Sequence, residues 1–249
     1  MSDPWLVLRG TTRARIGLGR TGDALPIKDV LEFQLAHARA RDAVHTPLDT
    51  EAIARAIMPL PSVIVRSKAA DRDMYLRRPD LGRQLDPACR LPSGPFDAVF
   101  VIADGLSPVG VQLHAAPLLR ACLNRLSGWS IAPIVIATQA RVALGDEVGA
   151  LLQANLCAVL IGERPGLSVA NSLGVYLTYR PQVGRMDSER NCISNIHADG
   201  LSYEAAADML VWLMTEARSR KLTGVGLKDD RAAIGRLSPE RLRAPRLLE

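Results

Sequence analysis

The sequence is poor in aromatic residues and has no long apolar run. Aromatic side chains make up 4% of its 249 residues, which leaves few rings on which nucleic-acid bases could stack. Its 31 basic and 26 acidic residues interleave and give a net charge of +5, so we expect no basic patch for nucleic acid. No apolar run approaches the ~20 residues of a membrane-spanning helix, and residues 1–4 do not begin a secretory signal peptide. We therefore expect no nucleic-acid or membrane partner and a cytoplasmic location.

Closely spaced cysteines are also missing. The four cysteines, Cys89, Cys122, Cys157 and Cys192, are far apart and form no C-x-x-C pair. This spacing argues against a zinc site and against a disulfide framework. Reduced thiols in a cytosolic protein are the simplest interpretation.

The motifs of common stand-alone enzymes are absent as well. The sequence contains no H-E-x-x-H, P-loop or G-x-S-x-G motif. Residues 17–22 do match G-x-G-x-x-G, but no buried strand precedes them and the next helix is expected only after Pro26. Since a dinucleotide site needs both features, we interpret this segment as a basic loop. The sequence fits a subunit that binds a ligand at a sheet edge better than a self-contained catalyst.

The chain divides near Pro95 into two parts that differ in their hydrophobic patterns. Residues 1–95 are expected to form a helical N-terminal segment, with one helix after Pro26 and another from Asp49 or Thr50 to Met58. Residues 68–84 are polar, irregular and rich in arginine. Residues 96–249 alternate short apolar runs with helical patterns. This alternation predicts an α/β fold with a Rossmann-like, mostly parallel sheet and flanking helices.

The apolar runs predict four strands in the second part. These strands end near Ala103, Ala137, Ile161 and Tyr179. Ser107 is expected to cap a helix that Pro117 kinks or interrupts, and a last long helix is expected to begin at Ser202. Ligands of such sheets bind beyond the carboxyl ends of the strands, so the loops at those ends are the candidate site.

Three polar segments follow predicted strands and would line that site. Residues 162–167 follow the third strand and include Glu163. Residues 191–197 are interpreted as a loop that includes Cys192, and Val142 follows the second strand. Because a charged side chain is costly to bury without a partner, a binding role and a solvated turn are both open for residues 162–167.

Six sequence blocks together resemble the small (light) subunit of ethanolamine ammonia-lyase. In chain order they are TTRARIGLGR, LEFQLAHARARDAV, DMYLRRPDLGRQL, VIADGLS, GERPGL and ERNCISNIHADGLSYEAA. Each block alone is modest evidence, whereas their order and spacing from about Thr12 to Asp230 are highly specific.

The resemblance implies an activity that composition does not reveal. Enzymes of this family use adenosylcobalamin to convert ethanolamine to acetaldehyde and ammonia by a radical mechanism. The large subunit binds ethanolamine and the adenosyl side of the cofactor, and the small subunit covers the other side at the interface. The arginine-rich residues 72–83 are then expected to contact the large subunit. In many organisms the family works within a bacterial microcompartment.

Carried over position by position, the family's small-subunit cobalamin contacts fall on Val142, Glu163 and Cys192. Val142 would pack on the corrin or its nucleotide tail, and Glu163 would accept hydrogen bonds from corrin amides. Cys192 would touch the cofactor edge and is not expected to be a nucleophile. No D-x-H-x-x-G motif is present, so we expect base-on binding without a protein ligand to cobalt. The alternatives are a non-catalytic cobalamin-binding module and, on residues 17–22, a nucleotide-dependent oxidoreductase.

Overall fold

A computed structural model describes residues 5–229 of the chain. The α-helices of this part are α1 (Leu6–Arg9), α2 (Ile27–His45), α3 (Thr50–Ala56), α4 (Arg72–Arg77), α5 (Pro108–Leu123), α6 (Leu144–Leu151) and α7 (Tyr203–Arg220). Its strands are β1 (Ser62–Arg66), β2 (Ala98–Ala103), β3 (Ile134–Thr138), β4 (Leu156–Gly162), β5 (Leu173–Tyr179) and β6 (Arg190–Ile196). The end of the predicted segment 96–249 lies outside the described residues.

The six strands form one mixed sheet in the order β1-β3-β2-β4-β5-β6. The first three neighbouring pairs in this order are parallel, and the pairs β4/β5 and β5/β6 are antiparallel. The α/β class is therefore confirmed, whereas the expectation of a mostly parallel, Rossmann-like sheet is not, because parallel pairing is limited to β1-β3-β2-β4. The connections explain the difference: residues 163–172 and 180–189 contain no α-helix, and a parallel crossover usually requires one.

Strand β1 lies inside the segment 1–95, which was expected to be helical. It pairs with β3 at one edge of the sheet, so this segment supplies a strand as well as helices. The run is short and only Val65 is buried in it, which explains why its pattern gave a weak signal. The two helices expected there are confirmed as α2 and α3. Asp49 caps α3, because its side chain accepts a hydrogen bond from the Ala52 N–H at 2.8 Å.

The interpretation of residues 191–197 as a loop is wrong, because most of this segment forms β6. Ile193 and Ile196 are buried, and the polar residues between them are exposed. An antiparallel strand with one solvated face shows this kind of pattern. Pro117 lies inside the single helix α5 and starts no second helix, and Ser107 caps that helix by accepting from the Gly110 N–H at 3.2 Å.

Two hydrophobic clusters lie on opposite faces of the sheet. One includes Phe100 and Leu160 and receives side chains from α3, α5 and α7. The other includes Val101 and Val159 and receives side chains from α6 and from Leu85. Helix α7 packs against β5 and β6 on the first face, whereas α6 on the second face packs against β4. The second face is therefore less covered over β5 and β6.

Candidate functional site

The less covered part of the second face carries a small polar surface, which we call the open face. It consists of Glu163, Gly174, Tyr176 and Cys192. Residues of β5 alternate between the two faces: Val175 packs in the first cluster and Tyr176 packs against the second. Cys192 on β6 is paired directly with Tyr176 and is exposed. Directly paired strand residues of this kind place their side chains side by side.

Glu163 follows β4 directly and is held in place by backbone groups. Its backbone N–H donates to the Ser172 carbonyl at 3.1 Å. Both carboxylate oxygens accept from the Asn195 N–H, at 3.3 and 3.2 Å. A Cβ on Gly174 would come 3.0 Å from Oε1 of this carboxylate, so glycine leaves the space that the carboxylate occupies.

An irregularity in the β5/β6 pairing leaves the Asn195 N–H free to donate to the Glu163 carboxylate. The register shifts between Leu173 and Val175, and Asn195 on β6 has a left-handed φ of 62°. Such a bulge removes a backbone group from the ladder and can redirect a side chain. The Glu163 carboxylate accepts from the Asn195 N–H. The position of this carboxylate therefore depends on strand pairing, which the sequence does not display.

The Tyr176 hydroxyl and the Cys192 thiol are both kept protonated at neutral pH. Burial, together with the neighbouring Cys192 and Glu163, raises the pKa of Tyr176 to about 12. Partial desolvation raises the pKa of the Cys192 thiol, the Tyr176 hydroxyl lowers it as a hydrogen-bond partner, and the Glu163 carboxylate raises it. A thiol with a raised pKa is a poor nucleophile, which agrees with the expectation that Cys192 is not one.

Val142 lies two residues before α6, on the same side of the sheet as the open face. It is half-buried and packs against the same hydrophobic cluster as Tyr176. The loop that leads to it is fixed by the buried Asp104, whose carboxylate accepts from the Gln139 and Ala140 N–H groups at 2.7 and 2.8 Å. Burial raises the pKa of this carboxyl.

The arginine-rich residues 72–83 dock next to Val142. The Arg141 N–H donates to the Gly82 carbonyl at 2.8 Å. The Tyr75 ring lies between two guanidinium groups, with Arg72 at 4.6 Å and Arg141 at 4.2 Å from its centroid. Cations placed over aromatic faces in this way are attracted to them. This stack fixes residues 72–83 against the loop that carries Val142.

A buried ion pair lies beside the open face, on the same side of the sheet. Arg190, the first residue of β6, donates to both carboxylate oxygens of Asp146 on α6, at 2.6 and 2.7 Å. It also donates to the Thr178 hydroxyl at 2.9 Å. The two charged side chains are 1% and 2% exposed. Such bidentate geometry is directional, so the pair fixes α6 relative to β5 and β6.

The structure thus brings together the three residues that sequence analysis selected. Glu163 and Cys192 lie on the open face, and Val142 packs against the hydrophobic cluster on the same side of the sheet. Sequence analysis missed Tyr176, and it included Asn195 only as part of residues 191–197, without a specific role. The position of Tyr176 as a polar ring within an apolar strand was a usable signal, whereas the role of Asn195 arises from the bulge and has no signal in a single sequence.

The other motifs show structural roles or no ligand geometry. Residues 17–22 follow no strand within the described chain, and α2 begins only at Ile27, so the basic-loop interpretation is consistent with the structure. His197 is buried at the end of β6, where its Nε2 lies 2.9 Å from Asn195 Oδ1. Within residues 5–229, no helix is both long and apolar enough to cross a membrane. In the same residues, no group of three or more potential ligands is arranged for a metal ion.

Comparison with known proteins gives a consistent result over nearly the whole chain. Residues 2–228 match the family described as ethanolamine ammonia-lyase light chain. An ethanolamine ammonia-lyase small subunit from Azotobacter vinelandii is 51% identical over 247 residues, 94% of this chain and 91% of that protein. One from Rhodococcus erythropolis is 53% identical over 232 residues, 91% of this chain and 90% of that protein. One from Pseudomonas aeruginosa strain LESB58 is 50% identical over 240 residues, 92% of this chain and 88% of that protein.

Proposed function

We propose, because the chain belongs to the ethanolamine ammonia-lyase light-chain family, that it is the small subunit of an adenosylcobalamin-dependent lyase that converts ethanolamine to acetaldehyde and ammonia. In this role it covers one side of the cofactor at the interface with a large subunit. The observation that carries the proposal is the grouping of Glu163 and Cys192 at one part of the sheet surface, with Val142 on the same side of the sheet.

The residues of the open face suit the rim of a corrin ring. Corrin carries carboxamide side chains, which donate and accept hydrogen bonds. The Glu163 carboxylate is acceptor-only when ionised, and backbone contacts hold it beside the exposed strands β5 and β6. Val142 supplies an apolar contact for the ring or its nucleotide tail. The surface is open on one side, which leaves room for a ligand shared with another chain.

In the proposed complex this chain binds and shields the cofactor and does not act on the substrate. When bound, the cofactor supplies the radical chemistry by homolysis of its cobalt–carbon bond. Glu163 accepts hydrogen bonds from corrin amides, Val142 packs against the macrocycle and Cys192 contacts its edge. The sheet behind these residues excludes water from that side. No residue of this chain is assigned a catalytic role.

The partner assignments follow from the same premise. The large subunit holds ethanolamine. Residues 72–83 contact the large subunit, since in this chain they pack against Arg141, the neighbour of Val142. Among them the Arg77 side chain is 81% exposed. Location within a bacterial microcompartment remains part of the proposal.

Base-on binding, without a protein ligand to cobalt, is the last element of the proposal. The absorption spectrum of the assembled complex with adenosylcobalamin should resemble that of the free base-on cofactor. A spectrum that indicates histidine ligation would contradict this element alone.

The decisive experiment is ammonia release from ethanolamine and adenosylcobalamin, with this chain measured alone, the matching large subunit measured alone, and the two mixed. Activity only in the mixture supports the proposal. An inactive mixture that nevertheless forms a complex and binds the cofactor would favour a cobalamin-binding module without catalysis. A mixture that forms no complex would refute the subunit assignment.

A further inference from the structure

We propose that Tyr176 is a fourth cofactor-contacting residue of the open face, and that its hydroxyl donates a hydrogen bond to a carboxamide oxygen at the corrin rim. This inference rests on the proposed function and adds a residue that the resemblance did not point to.

The position of Tyr176 connects the two polar members of the open face. It is paired with Cys192 on β6 and with Val159 on β4. It shares its face with Gly174, whose missing side chain leaves space for the Glu163 carboxylate. Tyr176 also interacts electrostatically with both Glu163 and Cys192. A ligand that touches Glu163 and Cys192 on this surface therefore also meets Tyr176.

The chemistry of Tyr176 complements that of Glu163. A primary carboxamide presents N–H donors and a carbonyl acceptor. The ionised Glu163 side chain can satisfy only the donors. The Tyr176 hydroxyl is a hydrogen-bond partner of the Cys192 thiol. When the protonated thiol donates to the hydroxyl oxygen, the hydroxyl proton is available as the donor for the carbonyl oxygen. Together the two side chains match both ends of an amide, whereas a thiol is a weak donor.

The other tyrosines do not have this arrangement. The Tyr75 hydroxyl donates to the Ala140 carbonyl at 3.3 Å, and the Tyr203 hydroxyl lies 2.8 Å from His114 Nδ1. Tyr179 is on the same strand as Tyr176 but packs against the cluster on the opposite face. It is therefore a matched control for substitution.

The test is a titration of the complex of this chain and the large subunit with adenosylcobalamin, in the dark and without ethanolamine. Absorbance or equilibrium dialysis reports the dissociation constant of the cofactor. Tyr176→Phe should raise this constant about five- to tenfold, the effect of losing one hydrogen bond in a partly buried site. Tyr179→Phe should leave it unchanged. Saturating cofactor should restore the maximal rate of Tyr176→Phe, because the residue binds the cofactor and takes no part in the reaction.

A second readout is the reaction of Cys192 with iodoacetamide, followed by mass spectrometry on the same complexes. Bound adenosylcobalamin should protect Cys192, and Tyr176→Phe should require about five- to tenfold more cofactor for the same protection. Wild-type affinity in Tyr176→Phe, or an equal loss in Tyr179→Phe, would overturn this inference and leave the proposed function intact. A wild-type complex that binds no adenosylcobalamin would instead overturn the proposed function, and this inference with it.

Discussion

The two parts of the sheet differ in how they are covered. Strands β2, β3 and β4 run parallel and are almost entirely buried, with helices or loops on both faces. Strands β5 and β6 are antiparallel to their neighbours and are covered by α7 on one face. On the other face Thr178 and Arg190 are buried, Tyr176 is half-buried, and Cys192 is exposed. Parallel sheets are generally buried on both faces, whereas an antiparallel sheet can leave one face to solvent.

This difference assigns separate tasks to the two parts. The parallel part provides the rigid core, because its apolar side chains are packed on both sides. In the proposed complex the antiparallel hairpin provides the surface for recognition, because Cys192 is exposed there and Glu163 and Tyr176 are half-buried beside it. Stability and binding should therefore respond to different substitutions.

The largest effect is expected at the buried ion pair beside the open face. Asp146→Ala leaves the Arg190 guanidinium without its bidentate partner in a site that is 1% exposed. An uncompensated buried charge of this kind typically costs about 3–5 kcal/mol, so the free energy of unfolding in urea should fall by that amount. Asp187 lies 3.5 Å from Arg190 Nε and its side chain is 88% exposed, so Asp187→Ala is the control. Equal losses in the two variants would show that the buried pair does not support the sheet.

The next largest effect is a difference in stability between substitutions on the two faces of β5. Leu177 on β5 is 1% exposed and packs in the first cluster. Leu177→Ala should lower the free energy of unfolding by about 2–5 kcal/mol, because it leaves a cavity. Tyr176→Phe, one residue away on the open face, keeps the ring and should cost far less. Thermal unfolding of both variants measures the difference, and a similar loss in the two would contradict the assignment of core and recognition faces.

A binding effect without a comparable stability effect is expected at Glu163. Glu163→Ala in the assembled complex should weaken adenosylcobalamin binding by about 1–3 kcal/mol, the range for removing a partner from a buried polar group. The adjacent Arg164 is exposed, and Arg164→Ala should bind like wild type. Cofactor titration followed by absorbance gives both values. Unchanged affinity in Glu163→Ala would remove this residue from the proposed contact set.

The smallest effect concerns the pH dependence of the Cys192 thiol. Its pKa is raised by partial desolvation and by Glu163, so alkylation of the isolated chain should accelerate only above the pH at which an ordinary thiol reacts. Glu163→Gln removes a negative charge that favours the protonated thiol, so it should shift the profile to lower pH. Site-resolved mass spectrometry across pH measures the shift. A shift to higher pH, or none, would mean that the carboxylate does not face the thiol.

Local patterns were sufficient for most of the core elements. The apolar runs that end near Ala103 and Ile161 correspond to β2 and β4, and the caps at Asp49, Ser107 and Ser202 begin α3, α5 and α7. These features depend on short-range chemistry, which a sequence displays directly. The helix that contains Pro117 was harder, because burial of its neighbours maintains one helix despite the proline.

The sequence failed where pairing between distant segments decides the outcome. The apolar run at β1 is short and is a strand because it pairs with β3. The polar run at β6 is a strand because β5 and α7 cover its apolar residues. Tyr176 was not selected for the same reason, since its neighbours Cys192 and Glu163 come from other segments of the chain.

The sequence by itself determined the α/β class, the principal helices and strands of the core, and, through its ordered blocks, the family. The selection of Val142, Glu163 and Cys192 as cofactor contacts also came from these blocks and stays a prediction. Only the tertiary structure decided that β5 turns back antiparallel, that β6 is a strand, and that Glu163, Tyr176 and Cys192 share one exposed face. The reason is physical: periodicity and caps act over a few residues, whereas strand direction, bulges and the coverage of a face depend on contacts between residues far apart in the chain.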